Sequence, residues 1–184
     1  FIRPTGAEDQ QGPDDQRDHK GADAEPQAGG LRGIGHAFAD LFGAHFSNGF
    51  EDAHHDAIVR NFEQTIPRAA KMQVPNVITF FGNRKGMPDG EAVDNCVNVL
   101  GRLRPMAESY GVTIVVELLN SKVDHADYQG DHTAFGVKVV KGVGSERIKL
   151  LYDIYHMQIM EGDIIRTIQQ NKQWFAHYHT GGVP

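Results

Sequence analysis

The sequence predicts an α/β fold in which helices cover a parallel sheet. Nearly apolar runs of strand length alternate with segments whose apolar residues recur at helical spacing. Two of these runs end on carboxylates, Glu117 and Asp153, and a third ends on the histidines His177 and His179. Because functional groups at the C-terminal ends of parallel strands of an α/β barrel meet on one face, the same runs also predict an active site.

The first predicted helix lies near residues 53–72. Its apolar residues recur every fourth position, at Ile58, Phe62, Ile66 and Ala70. Pro67 lies inside this pattern, and an interior proline loses a hydrogen bond and clashes with the preceding turn, so we expect a kink or a break there. The strand PNVITFFGN, residues 75–83, follows.

Three further helix-and-strand pairs complete the order β-α-β-α-β-α-β. The second helix ends at Gly111, in the usual C-terminal position, before the strand VTIVVELLN. A third helix around 135–140 precedes the strand run IKLLYDIYH. A fourth helix begins after Asp163, the predicted N-cap, and precedes WFAHYHTGG.

The two ends of the chain differ from this regular part. Residues 1–30 are rich in Asp, Gln, Gly and Pro, which predicts a disordered tail, and residues 31–184 are predicted to form the domain. The chain starts without methionine and stops directly after a strand, so we expect a fragment. Four units are half of an eight-stranded barrel, which usually needs about 250 residues.

Composition favours a barrel that acts on small molecules. No G-x-G-x-x-G turn follows the first strand, as an open nucleotide-binding sheet would often have. The net charge of −6, without a cluster of Lys and Arg, argues against a nucleic-acid surface. No apolar run approaches the roughly 18 residues of a membrane helix, and the lone Cys96 fits a buried thiol in a reducing, cytoplasmic setting.

The strand ends carry the residue types of a metal site. Glu117 shares the alternation of Thr113 and Val115, so it faces the predicted interior, where a carboxylate needs a partner, either a metal or a salt bridge. Asp153 occupies the equivalent place on its strand, and His179 lies nearer the strand end than His177. Carboxylates with one imidazole favour Mg²⁺ or Mn²⁺, and sometimes Co²⁺, although a structural role for the histidine is the alternative.

Neighbouring residues are candidates for contacts with a substrate. His156 lies just past a strand and is as suited to holding a substrate oxygen as to a structural role. Asn120, Ser121 and Lys122 follow Glu117 in a loop, where they could bind hydroxyls or a substrate carboxylate, or simply be solvated.

Residues 48–184 resemble the xylose isomerase-like superfamily of (β/α)8 TIM barrels, and within it the hydroxypyruvate isomerase group. The resemblance rests on LLYDIYHMQIMEGD together with VVELLNSK and HYHTGGVP, in the same order and spacing. It implies that Glu117, Asp153 and His179 hold a divalent metal. It also implies a final Glu ligand on an eighth strand, which we expect to lie outside this chain.

The resemblance further implies an aldose–ketose type isomerisation of a small sugar or sugar acid, such as hydroxypyruvate to tartronate semialdehyde through an enediolate. Glu117 would move the proton, His156 would hold a substrate oxygen, and Lys122 would meet a carboxylate. Alternatives are a ketose 3-epimerase, an inactive truncated barrel and, disfavoured by the acidic charge, a DNA-repair endonuclease of the same superfamily. Homo-oligomers are a further expectation, since full-length barrels of this type often associate.

Overall fold

The computed structural model describes residues 52–183, with side chains from residue 54 onward. The predicted disordered tail, 1–30, therefore lies outside the described residues. The helices and strands are α1 (Asp52–Lys71), β1 (Asn76–Phe80), α2 (Asp89–Tyr110), β2 (Thr113–Glu117), α3 (Thr133–Val143), β3 (Ile148–Asp153), α4 (Ile154–Met160), α5 (Ile164–Asn171), a 3-10 turn (Lys172–Trp174) and β4 (Phe175–His179).

The four strands form one parallel sheet in the order β1-β2-β3-β4, with helices in every connection. This confirms the predicted α/β fold with alternating strands and helices. In the register, Phe80 pairs with Glu117, and Asp153 pairs with His179. Because the strands are parallel and adjacent, the ends of β2, β3 and β4 lie side by side at one edge.

The two faces of the sheet have different partners. One face joins the helices in a single hydrophobic core, which includes Ile114, Val116, Ile148, Leu150 and Tyr152 from β2 and β3 and Phe62, Val99 and Leu100 from the helices. Successive residues of a strand point to opposite faces. Glu117 and Asp153 therefore lie on the face away from these helices, the face predicted to be the barrel interior.

Helix α3 packs unusually close to the sheet at Gly136. A Cβ added at Gly136 would lie 2.9 Å from Leu150 Cδ2 and 3.0 Å from Leu118 Cδ2. A side chain at this position would force both leucine side chains to shift. The close packing holds α3 against the ends of the two strands that carry Glu117 and Asp153.

The helix boundaries agree with the sequence at some positions and differ at others. Gly111 ends α2 with φ of 67°, and its N–H bonds to Ala107 and Glu108 carbonyls, as predicted. Of the kink or break expected at Pro67, the break is wrong: α1 continues through this residue, with Phe62 and Ile66 buried before it and Ala69 after it. Burial of this apolar face outweighs the loss of one hydrogen bond.

Two details near the second half of the sheet also differ. Asp163 occupies the predicted N-cap of α5, but its φ is 45° and its side chain makes no capping bond; it pairs instead with Arg166 Nε at 2.8 Å. The helix α4, which begins at Ile154 immediately after β3, lies where the sequence predicts the continuation of a strand run. Among residues 52–183, no helix has the length and apolar character to cross a membrane.

Candidate metal centre

Glu117 ends β2, and its position is fixed through the backbone. Its side chain is buried, and its carbonyl oxygen accepts a hydrogen bond of 2.7 Å from the Tyr128 hydroxyl. The same hydroxyl accepts a bond of 2.8 Å from the Phe81 N–H, just past β1. Tyr128 thus joins the ends of β1 and β2 and holds the strand end from which the Glu117 carboxylate projects.

Asp153 ends β3 and begins α4. One carboxylate oxygen, Oδ1, accepts a hydrogen bond of 3.2 Å from the His156 backbone N–H, the usual role of an N-cap aspartate. This bond explains why the chain turns directly from strand into helix. The cap restricts the rotation of the Asp153 side chain, while its second oxygen, Oδ2, lies close to β4.

His179 ends β4 and faces both carboxylates. Its Nδ1 lies 3.0 Å from Glu117 Oε1 and 3.4 Å from Asp153 Oδ2. Its side chain is 41% exposed, so the three groups are open to solvent on the histidine side. The strand-end residues predicted from the sequence are therefore adjacent in space.

Burial controls the charge of this cluster. Burial raises the pKa of Glu117, and the negative charge of Asp153 raises it further, whereas His179 opposes the shift without cancelling it. The anionic form of Glu117 is therefore disfavoured as long as no cation compensates it. A divalent cation between the carboxylates would remove this penalty.

The separations fit a single metal ion. Ligand atoms about 2.1 Å from a six-coordinate ion lie about 3 Å from one another, close to the distances of His179 Nδ1 from the two carboxylates. Carboxylates and imidazoles are common ligands of divalent metals. The donor set and its spacing thus fit the predicted divalent metal.

His156 is a second histidine at the same site. Glu117, Asp153 and His156 each offer a ligand atom within 4.8 Å of the others. Burial lowers the pKa of His156, with His125 and His179 adding to the effect and Asp153 opposing it. Distance alone therefore does not decide which histidine, His156 or His179, would bind a metal together with the two carboxylates.

Asn120 lies behind His156 instead of at the surface. It is fully buried, and its backbone N–H and its side-chain nitrogen lie 3.2 and 2.7 Å from His156 Nδ1. Its amide also bonds to Asp124 and to the backbone of the following loop. The Asn120 side chain is thus bonded within the chain, and its predicted contact with a substrate stays a prediction.

Lys122 is directed toward α4. Its Nζ donates to the carbonyl oxygens of Ile159 and Met160 at 3.1 and 3.0 Å. Cations stabilise the carbonyl end of a helix, which gives this lysine a structural contact. Its predicted role toward a substrate carboxylate stays a prediction.

Sequence reasoning missed the residues that support the site from a distance. Tyr128 is separated from its partner Phe81 by 47 positions, and Asp131 binds Arg84 at 2.8 Å across a similar separation. Asp131 also accepts a bond of 2.5 Å from Ser121, which anchors the loop after β2. A polar residue in a loop has no local periodicity, so no signal in the sequence distinguished these residues.

Sequence comparisons find relatives among isomerases and epimerases. The chain is 32% identical over 78 residues to 2-oxo-tetronate isomerase of Cupriavidus necator, covering 42% of this chain and 30% of the relative. It is 30% identical over 129 residues to D-psicose 3-epimerase of Agrobacterium fabrum, covering 65% and 43% respectively. It is 36% identical over 70 residues to hydroxypyruvate isomerase of Escherichia coli, covering 36% and 27% respectively.

A solved structure shows the same fold. The crystal structure of IOLI protein with a binding zinc atom matches 76% of this chain and 50% of that chain, with a TM-score of 0.64 and 22% identity. The matched part of this chain spans less than half the length of the three curated relatives. A family model described as xylose isomerase-like TIM barrel matches residues 24–184, most of the chain. The chain therefore belongs to the xylose isomerase-like TIM barrel family.

Proposed function

We propose that Glu117, Asp153 and His179 bind a divalent metal, Mg²⁺ or Mn²⁺ with Co²⁺ as a further candidate, in an isomerase of small keto acids or sugars. The observation that carries the proposal is the convergence of His179 Nδ1 on both carboxylates at adjacent strand ends. The family and its isomerase and epimerase relatives support an enzyme of this class.

The reaction follows from the chemistry of these groups. A bound divalent ion would polarise a substrate carbonyl as a Lewis acid. Glu117 then takes the proton from the carbon that bears the hydroxyl group and returns it to the former carbonyl carbon, while the hydroxyl proton passes to the carbonyl oxygen.

Hydroxypyruvate is the substrate we favour, with tartronate semialdehyde as product. Two of the relatives are named as isomerases of hydroxypyruvate and of 2-oxo-tetronate. A ketose 3-epimerase is the second candidate, because the D-psicose 3-epimerase aligns over 129 residues, the longest of the three alignments. Both reactions remove and return a proton beside a carbonyl, so the same carboxylate serves either.

Binding of Mn²⁺, followed by electron paramagnetic resonance, tests the metal site directly. Asp153→Asn keeps a helix-capping side chain but removes a ligand charge. It should weaken Mn²⁺ binding more than about tenfold, since even supporting residues of metal sites cost about 10- to 100-fold when changed. Asp163→Asn is the matched control, because Asp163 also occupies an N-cap but lies outside the site.

Equal affinity of both variants, or no Mn²⁺ binding by the wild type, would refute the metal centre.

Turnover is tested in heavy water with Mn²⁺ and either hydroxypyruvate or D-psicose, using proton NMR. An isomerase converts hydroxypyruvate to tartronate semialdehyde, and deuterium enters at the former carbonyl carbon to the extent that the proton held by Glu117 exchanges with solvent. Glu117→Gln should abolish this conversion without unfolding the chain, and undiminished conversion would remove Glu117 from the reaction.

A further inference from the structure

We propose that Asn120 is a positioning residue that holds His156 in the tautomer with its proton on Nε2, so that His156 presents a hydrogen-bond donor to the bound substrate and is not a metal ligand. The inference rests on the proposed function for the identity of the ligand. The tautomer itself depends only on contacts between residues of this chain.

Two donors of Asn120 are directed at the same ring nitrogen. The backbone N–H lies 3.2 Å from His156 Nδ1, and the side-chain Nδ2 lies 2.7 Å from it. A backbone N–H can only donate, so Nδ1 must be the acceptor. A neutral imidazole with an accepting Nδ1 carries its proton on Nε2.

The orientation of the Asn120 amide is fixed by other partners. Its Oδ1 accepts from the N–H groups of Val123 and Asp124 at 3.0 and 2.9 Å, and its Nδ2 donates to Asp124 Oδ2 at 2.7 Å. A flipped amide would place nitrogen against two N–H donors and oxygen against a carboxylate. The flipped orientation therefore loses three hydrogen bonds.

This contact pattern separates the two histidines of the site. The lone pair of His156 Nδ1 is shared by the two Asn120 donors, and Nε2 carries a proton, so neither ring nitrogen is available as a metal ligand. His179 Nδ1 faces both carboxylates and has no such donors among the described hydrogen bonds. The Nε2–H of His156 instead requires an oxygen acceptor, such as a carbonyl, hydroxyl or carboxylate oxygen of the substrate.

The packing around His156 restricts its ring further. The rings of Tyr155 and His125 contact it edge-on, with centroids at 5.1 and 5.3 Å. Both contacts restrict tilting of the ring out of its present plane. The Asn120 donors therefore set the position of the proton, and the neighbouring rings restrict the ring plane.

Nitrogen-15 NMR of histidine-labelled, metal-free chain tests the tautomer, with the His156 signals assigned by their loss in His156→Gln. The wild type should show a pyridine-like Nδ1 and a pyrrole-like Nε2. The double variant Asn120→Asp with Asp124→Asn exchanges amide and carboxylate, so the loop keeps its hydrogen bonds but an acceptor faces Nδ1. The carboxylate would then lie closer to Nδ1 than the backbone N–H that remains, 2.7 against 3.2 Å, so the population with the proton on Nδ1 should rise and the two signals should move toward each other. Asp124→Asn alone should leave both signals as in the wild type.

A pyrrole-like Nδ1 in the wild type, or signals that stay in place in the double variant, would overturn the proposal.

Metal binding is measured separately. His179→Gln should lose Mn²⁺ binding, and His156→Gln should retain it. Loss of Mn²⁺ in both variants would make His156 a ligand and overturn the assignment. If the wild type binds no Mn²⁺, the metal centre fails while the NMR result still decides the tautomer.

Discussion

Replacing Tyr128 by phenylalanine tests the hydrogen bonds that join β1 and β2 beneath the site. The change keeps the ring, which is 3% exposed, and removes only the hydroxyl. Two buried bonds are lost, one of 2.7 Å to the Glu117 carbonyl and one of 2.8 Å from the Phe81 N–H. At about 1 to 2 kcal/mol for each bond, the free energy of unfolding should fall by about 2 to 4 kcal/mol.

Urea unfolding followed by circular dichroism measures this loss. A slope of about 2 kcal/mol per molar urea converts it to a fall of about 1 to 2 M in the midpoint, with the slope unchanged. Tyr110→Phe is the matched control, because Tyr110 is 49% exposed, and its change should stay within about 0.5 kcal/mol. A Tyr128→Phe midpoint equal to that of Tyr110→Phe would refute the reasoning.

Two further predictions concern the loops near the site. Gly130→Ala should destabilise the chain by about 1 to 3 kcal/mol, because the new methyl group would lie 2.8 Å from Phe81 Cε2 and closer still to other ring atoms. Gly101→Ala is the control, because Gly101 lies in a helix and nothing lies within 4 Å of the new Cβ. This change should be neutral or stabilising in the same urea assay. Equal effects of the two changes on the urea midpoint would contradict the predicted clash at Gly130. Asp131→Asn should lower the free energy of unfolding at pH 7 and progressively less below about pH 4, the ordinary range of an aspartate. Burial would raise the pKa of Asp131, but bonds from Ser121 and His132 and the charge of Arg84 outweigh burial and hold this pKa below its ordinary value. Because the pKa of Asp131 is lower in the folded state than in the unfolded state, the carboxylate stabilises the fold at pH values above the unfolded pKa. This stabilisation is lost as the pH falls through the folded pKa. A difference between the urea midpoints of wild type and variant that does not narrow between pH 7 and pH 3 would contradict this prediction.

The alternation of the strands determined the position of the site. Thr113, Val115 and Glu117 share one face because successive side chains of a strand point to opposite faces. Parallel strands also place their C-terminal ends at the same end of the sheet, independently of the loop conformations. These are local or near-local properties, which is why the sequence predicted that Glu117, Asp153 and His179 would meet. The helix end at Gly111 was predictable for the same reason, since it depends on one residue.

The contacts that the loops make were decided by the tertiary structure alone. Asn120 and Lys122 looked alike as polar residues beyond a strand, yet one is buried against His156 and the other binds the end of α4. Their directions depend on where α4 lies, and α4 itself follows from the capping of its first turn by Asp153.

The sequence by itself determined the order of strands and helices, the face that carries the site and the residue types at the strand ends, because each depends on spacing along the chain. The tertiary structure decided which polar residues are buried, which histidine nitrogen accepts a bond, and how Tyr128 connects two strands. These depend on contacts between residues far apart in sequence, such as the 36 positions between Asn120 and His156. Such contacts form only when the whole sheet and its helices have packed.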